Sequence, residues 1–274
     1  MADEFDSIVD VYAYKNGKTS KLDGTLTGIT PVSECVDPLG SVYVTTGTSI
    51  YVYPHGAAQP SKVLQDHFGY TSGCAVDPLT GNLAVANAYG PNSSAGNVLI
   101  YAKASGKPKL LYIPSVQNPE YCGYDDTGNL FADGYDNDVN LALGELAHGS
   151  KHFTAITVSG AKVELPKSLQ WSSPYLLVDD SAYHGKSMSA IYQLSLSGST
   201  ATVVATIPLR HSYQIEQFWK DGNKIVTAGT DYADVLVYLY PSGKPFGTIP
   251  NQEPSANAVV VSNKKAGGIT RKRS

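Results

Sequence analysis

Six glycines recur along the chain, Gly17, Gly56, Gly106, Gly149, Gly198 and Gly243, at gaps of 39, 50, 43, 49 and 45 residues. The segments that they close read VYAYKNG, IYVYPHG, IYAKASG, LGELAHG, QLSLSG and VYLYPSG. Four of them keep a tyrosine five positions before the glycine: Tyr12, Tyr51, Tyr101 and Tyr238. Self-similarity at a period of about 40–50 residues means that one supersecondary unit is stacked or set in a ring, because a single unit cannot bury its own apolar face.

The unit is built from strands. With 26 Gly and 16 Pro, 16% charged residues and short Val/Ile/Tyr/Thr-rich runs between turn signals, the chain suits an all-β fold, and it has no long amphipathic helix. The second copy resolves into four strands, a to d: TSGCAVD (71–77), GNLAVAN (81–87), NVLIYAKAS (97–105) and KPKLLYI (107–113). The b strands align at Val42, Leu83, Leu130, Leu176 and Ile225, and the a–b turns DPLGS, DPLTGN, DDTGN and KDGN carry the Gly and Asn that a tight hairpin needs. Six four-stranded antiparallel meanders set radially bury one another's faces, which predicts a six-bladed β-propeller over residues 1–262 followed by a basic tail, 263–274. Residues 8–28 read as c and d strands, and ANAVVVS (256–262) as an a strand, so the two ends together close one blade. Its b strand comes from Gly268–Arg273 or from Phe5–Val9.

These repeats resemble NHL-type six-bladed propellers, whose units read roughly P-x-G-[VI]-A-V-D-x-x-G-N-[LV]-Y-V-A-[DN]. The residues that carry the likeness are SGCAVDPLTGNLAVAN (72–87) and YCGYDDTGNLFADG (121–134). Propellers of this kind include scaffolds, ligand binders, lyases and hydrolases, so the resemblance implies a fold more than an activity. The related gluconolactonase-like propellers imply a divalent metal at the channel mouth, held by Glu, Asn and Asp and polarising a lactone carbonyl or activating water. In that resemblance Glu120 stands for the glutamate, and Asn87 or Asp133 for the ligands at b-strand ends.

Charge and cysteine content narrow the partners. Five of the 20 Lys and Arg (Lys264, Lys265, Arg271, Lys272, Arg273) fall in the last eleven positions, leaving 24 acids against 15 bases before them. An acidic body argues against nucleic acid. No apolar run is long enough to span a membrane, and Met1–Asp10 lacks the pattern of a leader. That fits a cytoplasmic protein, or a secreted or periplasmic one whose leader has been removed. Cys35, Cys74 and Cys122 show no CxxC spacing, so buried free thiols are expected rather than a disulfide framework or a zinc site.

Chemistry gathers at one end of the predicted ring. Counting back from the Asp that ends strand a, and aligning the remaining blades by their turns, gives two inner columns: Val32, Ser72, Glu120, Pro166, Gln214, Asn257, and Glu34, Cys74, Cys122, Ser168, Glu216, Val259. The b–c loops open on the same end and bring Tyr89, Tyr135, Tyr183 and Tyr232. The d–a loops add Tyr70, Tyr121 and Tyr213, with His67 and His211. Tyr89, Tyr135, Tyr183, Tyr232, His184 and His211 are therefore the candidate ligand-binding residues. Phenol rings supply stacking platforms with hydrogen-bonding tips for a small polar or carbohydrate-like ligand, or for a protein or peptide partner. Glu34, Asn87, Glu120, Asp133 and Glu216 are the candidate oxygen ligands for Ca²⁺ or another divalent cation. Two functions follow: a binding module acting as a monomer, and a metal-assisted, lactonase-like hydrolase in which a histidine or Asp179 moves protons. No GxSxG elbow is present and no histidine pair has helical metal-binding spacing.

Overall fold

The structure, a computed structural model, describes residues 2–3, 7–15, 18–21, 26–114, 116–138, 140–183, 188–212, 214–229, 235–249 and 256–262. Short strands open the chain: β1 (Ala2–Asp3), β2 (Ile8–Val9), β3 (Tyr12–Lys15), β4 (Lys18–Lys21) and β5 (Leu26–Thr27). The first meander is β6 (Ser33–Val36), β7 (Val42–Thr45), β8 (Ser49–Tyr53) and β9 (Lys62–Gln65). The second is β10 (Tyr70–Val76), β11 (Leu83–Tyr89), β12 (Ala95–Tyr101) and β13 (Lys109–Leu111). The third is β14 (Asn118–Tyr124), β15 (Leu130–Tyr135), β16 (Leu141–Leu146) and β17 (Thr154–Ser159). The fourth is β18 (Leu169–Ser172), β19 (Tyr175–Asp180), β20 (Ser189–Ser197) and β21 (Thr200–Leu209), and the fifth is β22 (Ile215–Asp221), β23 (Lys224–Gly229), β24 (Val235–Leu239) and β25 (Lys244–Ile249). Each pairs its strands antiparallel in chain order. The repeated glycines make this possible: Gly56, Gly106, Gly149, Gly198 and Gly243 all turn a third strand into a fourth at φ between +55° and +78°, a region that side chains with a Cβ avoid. Gly17 lies outside the described residues.

Apolar side chains fill the gaps between successive meanders. Ile50, Leu83 and Tyr101 pack between the first and second, Ala86, Val98 and Leu130 between the second and third, Phe131, Leu143 and Leu176 between the third and fourth, and Leu177, Ile191 and Phe218 between the fourth and fifth. The series is completed by the chain ends. Ala256 and Val259 pack with Tyr12 on the fifth meander, while Val9, Ile29 and Ala258 pack on the first. Gln217 of β22 locks this junction: its Oε1 accepts Ser33 Oγ–H at 3.1 Å and the Glu34 amide at 3.2 Å, and its Nε2 donates to the Glu34 and Val259 carbonyls at 2.8 and 3.2 Å. The meanders therefore close into a ring.

Three expectations are corrected. Cys35 and Cys74 form a disulfide between β6 and β10, joining the first two meanders; of the three cysteines Cys122 alone is a free, buried thiol. Phe5–Val9 is not the missing b strand, since Ile8–Val9 pairs on one side with Leu26–Thr27 and on the other with Ala2–Asp3; the alternative, Gly268–Arg273, lies outside the described residues, as does the whole tail 263–274. The inner columns shift in two meanders. Pairing of Tyr124 with Leu130, Trp171 with Leu176 and Lys220 with Ile225 makes Ser172 and Asp221 the counterparts of Asp125. The outer column then reads Val32, Ser72, Glu120, Lys167, Glu216 rather than continuing through Pro166 and Gln214. One further feature was not anticipated: β17 and β21 pair in parallel, Thr157 opposite Thr200 through Ser159 opposite Thr202, which merges the third and fourth meanders into one eight-stranded sheet.

Candidate binding mouth

Ladder irregularities position the site. The β10–β11 ladder skips Ser72, β14–β15 skips Glu120 and Tyr121, and β22–β23 skips Glu216. A bulge leaves a residue unpaired and re-aims its side chain. Ser72, Glu120 and Glu216 at these bulges, and Val32 and Lys167 at the same position of the other two meanders, are all half-buried, whereas the next residue along each strand, Ser33, Gly73, Tyr121, Ser168 and Gln217, is buried. The buried set forms a floor. Tyr121 reaches past Gly73, where a Cβ would collide with its ring, and its hydroxyl donates to the Glu34 carbonyl at 2.8 Å. The Phe218 amide donates to Ser168 Oγ at 3.3 Å. Tyr121, expected in a mouth loop, is instead part of this floor.

Carboxylates of the second strands hold the backbone of the inner strands in place at this end. Asp133 Oδ1 accepts the Tyr121 amide at 3.0 Å, and Asp179 Oδ1 accepts the amides of Lys167 and Ser168 at 2.9 and 2.7 Å. Ser181 Oγ adds a hydrogen bond to Asp179 Oδ2 at 2.9 Å. A carboxylate here satisfies amides that the ladder leaves unpaired, within a bulge at Tyr121 and just before the first ladder pair at Lys167 and Ser168. Burial pushes the Asp179 carboxyl up to about 8 and raises Asp133 well above the usual range, with neighbouring Asp179 adding to the latter.

At the rim, Lys167 Nζ pairs with Glu216 Oε2 at 3.4 Å. Burial raises Glu120 to about 7, opposed by the charge of Lys167 and assisted by that of Glu216. Tyr135 is half-buried and its hydroxyl donates to the Pro166 carbonyl at 2.9 Å. Lys167 is the residue that sequence reasoning missed; the strand end at Ser172, in place of an Asp, hid its register.

The other predicted site residues are spread around this end. Tyr89 is 52% exposed and lies off the axis with Tyr70 and His67. Tyr183 is half-buried and packs edge-on against Tyr192, ring centroids 6.2 Å apart, and His211 is exposed in the turn after β21. Tyr232, His184 and Tyr213 lie outside the described residues. Glu34 is buried at the junction of the chain ends, and Asn87 is buried off the axis, its Nδ2 donating to Asn97 Oδ1 at 3.0 Å.

The residues present do not fit the divalent ion that a gluconolactonase-like resemblance implies. Among the described residues no group of three or more His, Cys, Asp or Glu side chains is arranged to hold a metal. Asp133 Oδ1 and Asp179 Oδ1 are taken up by backbone amides, Asp179 Oδ2 by Ser181 Oγ, and the cation set against Glu216 is the lysine's own ammonium.

No protein-family model matches the chain, and no curated protein matches it. Among solved structures the chain is similar to one from a crystal structure of a nidogen/laminin complex, with a TM-score of 0.71 and 14% identity over 91% of this chain and 92% of that one. The fold is a β-propeller. With 1043 matching chains among solved structures, the propeller is too widely shared to carry a function. The described helices are short, and none is long and apolar enough to cross a membrane.

Proposed function

We propose that the protein is a six-bladed, NHL-like propeller whose sixth blade is assembled from both chain ends, and that it works as a binding module. Its axial mouth receives a small polar, carbohydrate-like ligand or the polar tip of a partner protein. The observation that carries the reading is the ring of half-buried side chains at one strand position. Glu120, Lys167 and Glu216 stand there on consecutive blades, beside the Tyr135 hydroxyl and above a hydrogen-bonded floor. Charged groups of both signs, held by the strand backbone and partly shielded from water, bind hydroxyl, amine and carboxylate groups at low ordering cost. The similar propeller belongs to a complex between two proteins, which accords with partner capture in general.

Arrays of glycans and of charged peptides test this directly. Lys167→Met and Glu216→Gln should each weaken capture about tenfold, as expected for lost charge-assisted hydrogen bonds, while the thermal midpoint stays within a few degrees. Capture indifferent to both substitutions, or no capture on either array, removes the mouth as the site.

A further inference from the structure

A second site lies off the axis. An open cavity of about 550 Å³ between the first and second blades is lined by Thr48, Asp66, His67, Tyr70, Tyr89 and Pro91, together with small residues. Its size falls in the range of small-ligand pockets. Its walls are built in advance of any ligand. The Gly47 amide donates to Thr71 Oγ1 at 2.9 Å, the Thr71 amide returns to the Gly47 carbonyl at 2.9 Å, and the Asp66 amide donates to the Thr48 carbonyl at 2.8 Å.

Two phenol rings and one acid set its chemistry. Tyr70 and Tyr89 are register partners across β10–β11, so their side chains stand on the same face of the sheet, and they are 45% and 52% exposed. Gly47, with φ +74°, lets the Tyr70 ring approach within 2.8 Å of where a Cβ would stand. Asp66 is 3% exposed; its Oδ1 accepts the Phe68 amide at 2.7 Å, and among the described residues its Oδ2 receives no hydrogen bond. Burial raises the pKa of this carboxyl, opposed by its hydrogen bonds to the chain and, more weakly, by the charge of neighbouring His67.

From this arrangement we propose that the groove binds a small alkylammonium ion, its apolar substituents against Tyr70 and Tyr89 and its charge in the field of Asp66. Aromatic rings attract such cations through their quadrupole, and a trimethylammonium group matches both the rings and the acid. A sugar would stack on the rings but bring no charge to meet the acid.

Choline and its uncharged isostere 3,3-dimethylbutan-1-ol are the probes, followed through the amide resonances of Gly47, Tyr70 and Gly90. Choline should bind about tenfold tighter than the alcohol. Tyr89→Ala should weaken choline about two- to thirtyfold, the range for one ring. Asp66→Asn should abolish the preference for choline, with retained weak binding of the alcohol reporting an intact groove. Lys167→Met should change nothing here, which separates this site from the axial one. Equal affinity for the two probes, no shift with either, or shifts centred on Glu120 and Glu216 overturns the proposal.

Discussion

Glu120 keeps its proton to a higher pH than an ordinary glutamate because burial penalises its charged form more than Lys167 relieves it. An acid whose folded pKa is raised favours folding while protonated. Its contribution is complete below the ordinary value of 4.5 and is lost as the pH rises through about 7. Unfolding free energy should therefore fall between those limits, by about 1–2 kcal/mol after allowance for solvent screening. Glu120→Gln should flatten that part of the profile in denaturant titrations run at several pH values; an unchanged slope would place the carboxyl in water. Asp179, pushed up to about 8, extends the same fall to higher pH. Glu120 and Glu216 were readable in the sequence as acids on inner strands. Their neighbour Lys167 was not, because the fourth repeat lacks the acid that marks the strand end in the second and third.

At the scale of strands, Asp133 braces an interrupted ladder and Asp179 the entry to a regular one. Asp133→Ala leaves the Tyr121 amide buried and unsatisfied, at a cost of about 1–3 kcal/mol, whereas Asp133→Asn keeps an accepting oxygen and should be nearly neutral. Urea midpoints of the two variants decide between a brace and an electrostatic role; equal losses would show that the charge, not the acceptor, matters. The strands themselves were legible, since turn glycines and alternation mark their ends. Bulges were not. One extra residue leaves composition untouched and shows only in pairing, as at Glu120–Tyr121 opposite Asp133.

For the whole molecule, closure follows from the chain ends, whose place between the first and fifth meanders could be read from incomplete repeats. The disulfide could not: Cys35 and Cys74 are 39 residues apart, and only neighbouring inner strands make them adjacent. Linking residues at that separation restricts the unfolded chain, worth about 3–4 kcal/mol in the chain-entropy account. Oxidised protein should exceed the Cys35→Ala/Cys74→Ala double variant by that amount in urea unfolding; equal stability would mean that the bond constrains nothing. The outer pairing of β17 with β21 places a second tie between the third and fourth meanders, at the circumference of the ring rather than near its hub. With one pair of sectors riveted centrally and another laced along the perimeter, neither tie reaches the joint where the first and last portions of the polypeptide meet, and Gln217 is the clasp that holds it there.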